Sequence, residues 1–226
     1  YGPYEVVNWD SGDKITLKAF SDYWGGEPSV KNAVFKVYTD SNTAAIALQN
    51  GQVDVLLDVS TADVATLEAN DNVTVYNGDS LIAFHLHLNC ERTPFNNEKV
   101  RQALNYAIDT QAIIDAVFDG VGAVKMDSFI PKMSMSADMG SNPYGYDLDK
   151  AKALLAEAGY ADGFECNILV TSGQQEKMAQ VIQGYLQPLG ITLNINVYEW
   201  STLLSIVETG DYDVTILRIV AMIPDP

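Results

Sequence analysis

Positive charge is scarce in this sequence. Of its 226 residues, 13 are Lys or Arg and 30 are Asp or Glu, which gives a net charge of −17. A nucleic-acid-binding surface needs clustered Lys and Arg to neutralise phosphates. A chain this acidic instead repels polyanions and anionic surfaces through its own field. The composition therefore excludes nucleic acid as a general partner.

Long hydrophobic runs are also missing, and cysteine is rare. The chain has no stretch of about 18 apolar residues, the length that crosses a bilayer as a helix. Its 47% hydrophobic and 19% charged residues are typical of a folded globular protein. Two cysteines, Cys90 and Cys166, allow either one disulfide or two free thiols. The sequence predicts no membrane span and leaves the disulfide question open.

The common catalytic motifs do not occur either. There is no GxGxxG, no Walker-type phosphate loop, no GxSxG and no HExxH. The acid pairs Asp147/Asp149 and Asp211/Asp213 stand where helix caps and turns are expected, so a general acid–base role is not favoured. The sequence therefore predicts a non-catalytic protein.

Two small sets of residues offer metal-ligand chemistry. His85 and His87 are two apart in a predicted strand, so both side chains lie on one face. They can hold a metal with further ligands, or form a hydrogen-bonded polar pair, which is the favoured interpretation. Met133, Met135 and Met139 can form a thioether site or a loop packed over apolar surface. Neither set defines a metal site alone.

Strand and helix patterns alternate along the chain. Strands are predicted over 5–10, 14–20, 33–38, 53–59, 73–77, 81–89, 164–171, 191–200 and from 213 onward. Helices are predicted to begin at residues that can cap them and to occupy about 41–51, 61–70, 97–107, 109–120, 147–159, 174–189 and 201–209. Residues 121–146 are predicted to be a loop. This order favours an α/β fold with mainly parallel or mixed sheets, the long apolar last strand being central.

Short stretches spread over the whole chain carry a resemblance to a known family. They are GPY at 2–4, DYWGG at 22–26, ALQNGQVD at 47–54, PF at 94–95, VRQAL at 100–104, YAID at 106–109, YD at 146–147, KAKALL at 150–155, EAG at 157–159, EW at 199–200, GDYD at 210–213 and PDP at 224–226. Together they resemble the extracellular solute-binding proteins of the dipeptide/oligopeptide/nickel class (family 5), the receptors of ABC importers.

The resemblance implies a type II periplasmic-binding-protein-like architecture of two lobes, with mixed sheets flanked by helices. Family members are longer, so this chain is expected to be a fragment that lacks N-terminal and C-terminal parts. Residues 1–85 are expected to form part of the first lobe, strand-rich and with a hinge strand at its end. Residues 86–226 are expected to form most of the second lobe and to end in a hinge-crossing strand. In such a protein the solute lies between the lobes.

The resemblance also implies a set of ligand-binding residues. These are His85, Trp200, Leu204, Val207, Ile216, Ile219 and Met222. Met222 stands where peptide-binding members carry an aspartate that pairs with the peptide amine, and Ile219 stands where tryptophan is usual. Val207 and Ile216 occupy positions that are arginine in some oligopeptide binders, and His85 stands where a tyrosine often faces the ligand. The alternative for Ile219 and Met222 is that they pack in the hinge and touch no solute.

A function follows from the resemblance. We expect the substrate-binding subunit of an ABC importer, which captures peptides, hydrophobic or amine-blocked ones included, and delivers them to the membrane permease subunits. The alternative is a receptor for a non-peptide solute such as a metal chelate. We expect no enzyme activity, no cofactor, no resident metal and no nucleic-acid partner. We also expect a monomer outside the cytoplasm, in the periplasm or as a cell-surface lipoprotein whose lipid anchor lies outside this chain.

Overall fold

The computed structural model describes residues 2–78, 80–120, 122–126 and 144–220. The chain divides into two compact units, residues 1–76 and 77–226. The elements of the first unit are β1 (Tyr4–Asp10), β2 (Lys14–Ala19), β3 (Asn32–Lys36), α1 (Ser41–Gln49) and α2 (Thr61–Glu68). Those of the second are β4 (Ile82–Leu88), α3 (Glu98–Ala107), α4 (Thr110–Phe118), α5 (Leu148–Glu157), β5 (Glu165–Val170), α6 (Gln174–Leu186), β6 (Thr192–Val197), α7 (Trp200–Glu208) and β7 (Val214–Val220).

The first unit is a three-stranded antiparallel sheet followed by two short helices. Its strands lie in the order β1-β2-β3, and β1 pairs with β2 from Tyr4↔Ala19 to Asp10↔Lys14. The turn between them is closed by the amide of Asp13, which donates to the carbonyl of Asp10. The carboxylate of Asp40 accepts hydrogen bonds from the amide and hydroxyl of Thr43, and so caps α1 as the sequence predicts. The same two bonds lower the pKa of Asp40, the hydroxyl contributing more.

Two strands predicted in this part of the chain are not formed. Residues 53–59 carry Asp58 with φ of 54°, a left-handed conformation that breaks an extended run. In residues 73–77, the amide of Val73 donates to the carbonyl of Asn70 in a turn directly after α2. The side chain of Asn70 also accepts from the amide of Asn72. Local turn bonds of this kind compete with strand pairing. The alternating valines in the sequence predicted a strand but gave no sign of these turn bonds.

The second unit contains a four-stranded mixed sheet in the order β4-β7-β5-β6. Strand β4 pairs antiparallel with β7, whereas β5 is parallel to both β7 and β6. Strand β7, the long apolar segment near the end of the chain, therefore lies inside the sheet with neighbours on both sides, as predicted. Of the helices, α3, α4 and α5 begin at the predicted caps, with Asn97, Asp109 and Asp147 accepting from the amides of the first turn.

The core of the second unit lies on one face of this sheet. It is built from apolar residues of α3, α4, α5, α6 and the inward-facing positions of β5, β6 and β7. Strand β4 contributes Phe84, Leu86 and Leu88 to the same core. Because β4 is paired with β7 from Ile82↔Val220 to Leu88↔Val214, it belongs to this unit along its whole length. The division into compact units therefore falls between Tyr76 and Asn77, and the expected lobe boundary at His85 stays a prediction.

Candidate functional site

The face of the β4–β7 pair that points away from the core carries the polar residues of interest. Antiparallel partners point to the same side of a sheet, and successive residues alternate. Since Phe84, Leu86 and Leu88 pack in the core, the opposite side carries Ala83, His85 and His87 with their partners Ile219, Leu217 and Thr215. We call these six residues the histidine face.

The two imidazoles on this face are neighbours. Their ring centroids lie 6.0 Å apart with the planes at 79°, an edge-to-face arrangement. Both rings are partly buried, and burial lowers the pKa of His85 and of His87 below the ordinary value of 6.5. The nearby His87 lowers the pKa of His85 further. At neutral pH both side chains are therefore uncharged and present ring nitrogens that can accept a hydrogen bond or bind a metal.

Helix α7 lies on the same side of the sheet as the histidine face. Helix α6 connects β5 to β6 and packs in the core, whereas α7 connects β6 back across β5 to β7. The α6 connection runs towards β6 and the α7 connection runs back in the opposite direction along the sheet. Since crossovers between parallel strands are right-handed, connections in opposite directions place their helices on opposite faces. In agreement, no residue of α7 belongs to the core cluster, although Leu203 is fully buried.

Three predicted site residues share one stripe of this helix. Trp200, Leu204 and Val207 are spaced by four and three positions, so their side chains lie above one another. Trp200 begins α7 instead of ending a strand, and it is 45% exposed. Leu204 and Val207 are half-buried. This stripe is an apolar surface with an aromatic ring at its N-terminal end.

The remaining predicted residues separate into three groups. Ile219 lies on the histidine face and is 36% exposed. Ile216 is 2% exposed and packs in the core on the other side of the sheet, because β7 alternates its side chains. Met222 lies outside the described residues, as do Met133, Met135 and Met139. The structure thus brings His85, Ile219 and the α7 stripe to one side of the sheet, and Ile216 does not join them.

A polar junction at the start of β7 was not predicted. One oxygen of Asp213 accepts from the amide of Asn167 at 3.0 Å and from its side-chain nitrogen at 3.1 Å. The other accepts from Arg92, which also binds Asp211. The side chain of Asn89 donates to the carbonyls of Gly210 and Tyr212. The sequence signal was Asp211 and Asp213 in a helix-to-strand turn, but their partners are over 40 positions away.

The two cysteines are not joined in a disulfide. Both are free; Cys90 is exposed and Cys166 is buried. Burial, assisted by Asp213 and Glu165, raises the pKa of Cys166 to about 12, so its thiol stays protonated and unreactive. Across residues 2–78, 80–120, 122–126 and 144–220, no group of three or more His, Cys, Asp or Glu side chains is placed to hold a metal. Within the same ranges no helix is long and apolar enough to cross a membrane.

The family model and the relatives that match this chain indicate the same family. Residues 1–226 match the family model described as "Bacterial extracellular solute-binding proteins, family 5 Middle". The chain is 34% identical to heme-binding protein A of Haemophilus influenzae over 88% of its length and 38% of that protein. It is 30% identical to the dipeptide-binding protein of Escherichia coli over 96% of its length and 41% of that protein. The chain thus spans about two fifths of the length of these relatives.

A solved structure shows the same arrangement of the chain. The periplasmic binding protein DppA of Helicobacter pylori, in complex with the peptide STSA, superposes with a TM-score of 0.87 at 35% identity. The match covers 100% of this chain and 44% of that protein. The fold is accordingly that of type II periplasmic binding proteins, with mixed α/β structure and sheets flanked by helices, as the resemblance implied. The chain belongs to the bacterial extracellular solute-binding proteins of family 5.

Proposed function

We propose that the protein containing this chain is the solute receptor of an ABC importer and that it binds peptides. The observation that carries the proposal is the superposition of the entire chain on a family member bound to the peptide STSA, at 35% identity. The E. coli dipeptide-binding protein, at 30% identity, supports the same solute class. The partner would be the membrane permease of the importer, and the receptor would act outside the cytoplasm as a monomer, held to the membrane only by a lipid anchor.

The contact residues proposed on the second unit are His85, Trp200, Leu204, Val207 and Ile219. They lie on one side of the sheet and combine an exposed aromatic ring, aliphatic side chains and one uncharged imidazole. Such a surface suits apolar side chains and neutral polar groups, and it offers no charged partner for a peptide amine. Met222, at the position of the family's amine-binding aspartate, remains part of the proposal. The solute is therefore a hydrophobic or amine-blocked peptide, or one whose amine is bound elsewhere in the protein.

The protein would act without catalysis. Hydrolysis needs a nucleophile with a base in hydrogen-bond reach. Among the six residues of the histidine face the one hydroxyl or thiol is that of Thr215, and it donates to the carbonyl of Leu169 at 2.8 Å. Incubation of the full-length protein with peptides and esters is expected to return them intact.

A non-peptide solute is the second candidate. It is favoured by the 34% identity to heme-binding protein A of H. influenzae and by the apolar character of the proposed contact surface. A flat metal chelate or porphyrin would use the same aromatic and aliphatic contacts.

Native mass spectrometry of the full-length protein as purified, followed by release under denaturing conditions, separates these solutes. A set of released peptide masses is the expected result. A single non-peptide mass or a metal complex would replace the peptide proposal by the second candidate. A protein purified empty is next titrated with hydrophobic dipeptides and tripeptides by calorimetry, and no heat with any of them would also count against peptides.

A further inference from the structure

We propose that Asn77 is a site of spontaneous covalent modification, at which the side-chain amide is lost and aspartate and isoaspartate form. Water is the co-reactant, and no enzyme is needed. The site goes beyond the solute receptor proposed above and does not depend on which solute that receptor binds.

The reaction needs an asparagine and access to the backbone nitrogen of the next residue. That nitrogen attacks Cγ of the asparagine, a cyclic imide (succinimide) closes, and the side-chain nitrogen leaves as ammonia. Water then opens the ring at either of its carbonyl carbons, which gives aspartate or isoaspartate. Glycine favours ring closure as the next residue, because it has no side chain to shield the nitrogen and its backbone rotates most freely.

Two asparagines of the sequence precede glycine, Asn50 and Asn77, and the structure protects the first. Asn50 ends α1 with ψ of 3°, which places the nitrogen of Gly51 beside the backbone nitrogen of Asn50 and away from its Cβ. The amide of Gly51 also donates to the carbonyl of Leu48 at 3.0 Å. The imide therefore cannot close at Asn50 until this end of the helix opens.

No such restraint acts on the second pair. Asn77 and Gly78 are exposed and lie outside helix and strand, in the segment that joins α2 to β4. The amide of Gly78 makes no hydrogen bond with any residue that the structure describes. The preceding Tyr76 is 91% exposed, and no atom lies within 4 Å of the Cβ position of Gly78. The nitrogen of Gly78 can therefore turn towards Cγ of Asn77 without breaking a contact.

The aspartates that precede glycine give the same contrast. Such pairs close the same imide with loss of water, and the sequence contains Asp119–Gly120 and Asp162–Gly163. Their glycine amides donate to backbone carbonyls at 3.3 and 3.0 Å, respectively. Among the glycines that follow Asn or Asp, Gly78 is thus the one whose amide has no hydrogen bond in the described part of the chain.

Modification changes both the charge and the backbone of this segment. Each product replaces a neutral amide by a carboxylate, which is ionised at neutral pH, in a chain that already carries a net charge of −17. Isoaspartate also routes the main chain through Cβ and so lengthens the connection from α2 to β4 by one carbon. A stored preparation of the protein should therefore accumulate acidic variants that differ at Asn77.

The test follows both asparagines in the folded full-length protein during incubation at mildly alkaline pH in water enriched in heavy oxygen. Cleavage after Glu68 separates the peptide of Asn50 from that of Asn77. Mass spectrometry with electron-transfer fragmentation then reports loss of the amide, uptake of oxygen from water and the ratio of isoaspartate to aspartate. We expect Asn77 to react at least about tenfold faster than Asn50, because α1 must open locally before Asn50 can react.

The same incubation in concentrated urea is the control for the fold, and there the two asparagines should react at similar rates. Gly78→Ala is the control for the mechanism, because Gly78 has open space at its Cβ position and no left-handed φ that would strain alanine. This variant should slow the reaction at Asn77 by about tenfold or more and leave Asn50 unchanged, because a side chain shields the attacking nitrogen. Thermal unfolding checks that the variant is folded.

The proposal is overturned if Asn77 of the folded protein reacts no faster than Asn50, or if Gly78→Ala reacts as fast as the original sequence. A difference between the two asparagines that persists unchanged in urea would also overturn it, because the choice of Asn77 would then owe nothing to the fold.

Discussion

The two imidazoles of the histidine face titrate differently from histidines in water. Burial disfavours the charged form of each ring, and the proximity of His87 adds to this for His85. The folded protein therefore binds these protons less readily than the unfolded chain does. Stability that depends on the pair is present above the ordinary pKa of 6.5 and is lost as the pH falls through that value towards the lowered pKa of the folded state.

A pH series on the protein checks this sign. The free energy of unfolding of the protein, minus that of a His85→Gln/His87→Gln variant, should decrease as the pH is lowered from 7.5 to 5.5. The subtraction removes the contribution of the many carboxylates, which is common to both proteins. Urea denaturation at each pH supplies the values, and a difference that stays constant over this range would contradict the burial of the pair.

In the second unit the backbone at one glycine lies very close to the backbone at another. Gly163 has φ of 80° and Gly190 has φ of 72°. A Cβ added to Gly163 would stand 2.1 Å from the carbonyl oxygen of Gly190. This approach lies beside the first pair of β5 and β6, where the amide of Thr192 donates to the carbonyl of Phe164. Only glycine fits at either position, because the obstacle is backbone and cannot rotate away.

Gly163→Ala should therefore be strongly destabilising. Gly159 is the matched control, since it has φ of 87° but open space around its Cβ position. Gly159→Ala should lower the free energy of unfolding only by the strain of a left-handed backbone with a side chain, roughly 1–2 kcal/mol. Gly163→Ala should lose about 1–3 kcal/mol more because of the clash. Chemical denaturation of the two variants measures the difference, and equal losses would show that the close approach is relieved at no cost.

At the scale of elements, the start of β7 is held by polar contacts that its apolar sequence does not suggest. Asp213 links β7 to Asn167 of β5 and to Arg92, which follows β4 in the chain. These contacts fix the point at which β7 enters between its two neighbours. That point decides the register, and in β7 the register decides which residues face the core and which join the histidine face.

Asp213→Asn should weaken this junction more than Asp211→Asn does. The Asp213 side chain is 19% exposed and accepts two hydrogen bonds from Asn167, so an amide that presents hydrogens there should cost about 1.5–3 kcal/mol. The Asp211 side chain is 76% exposed and pairs with Arg92 at the surface, where solvent screening leaves an ion pair with little effect on stability. Thermal or urea unfolding compares the two variants. A larger loss for Asp211→Asn would mean that the surface ion pair, not the partly buried carboxylate of Asp213, holds β7.

At the scale of the whole protein, binding should depend on which side of the sheet a residue occupies. Ile219 and Val220 are consecutive in β7 and both exposed, but alternation directs them to opposite faces. Ile219→Ala in the full-length protein should weaken solute binding about tenfold, or about 1.4 kcal/mol, through lost apolar contact. Val220→Ala should leave it unchanged.

Trp200→Ala extends the same comparison to α7. An exposed aromatic ring that a solute covers is typically worth about 2 kcal/mol or more, so this variant should lose more affinity than Ile219→Ala. Calorimetry with the solute recovered from the purified protein gives all three affinities. If Val220→Ala weakens binding as much as Ile219→Ala, the solute does not lie on the side of the histidine face.

The sequence by itself determined the family, the α/β class and the elements whose signals are local. Helix starts at Asn97, Asp109 and Asp147 could be predicted because a capping side chain binds amides two or three residues away. The interior position of β7 followed from its long, mainly apolar sequence, which carries one charge at Arg218. These features depend on neighbours in the chain, so the chain alone carries the information.

Only the tertiary structure decided which residues face one another. It moved Ile216 into the core, set the unit boundary before β4 through pairing with β7, and showed that Asp213 binds Asn167. It also left Nε2 of His87 buried without a hydrogen-bond partner among the described residues. Each of these outcomes depends on strand register and on contacts between distant segments. Such contacts arise only after the chain has folded, because sequence periodicity fixes the alternation of faces but not which face is buried.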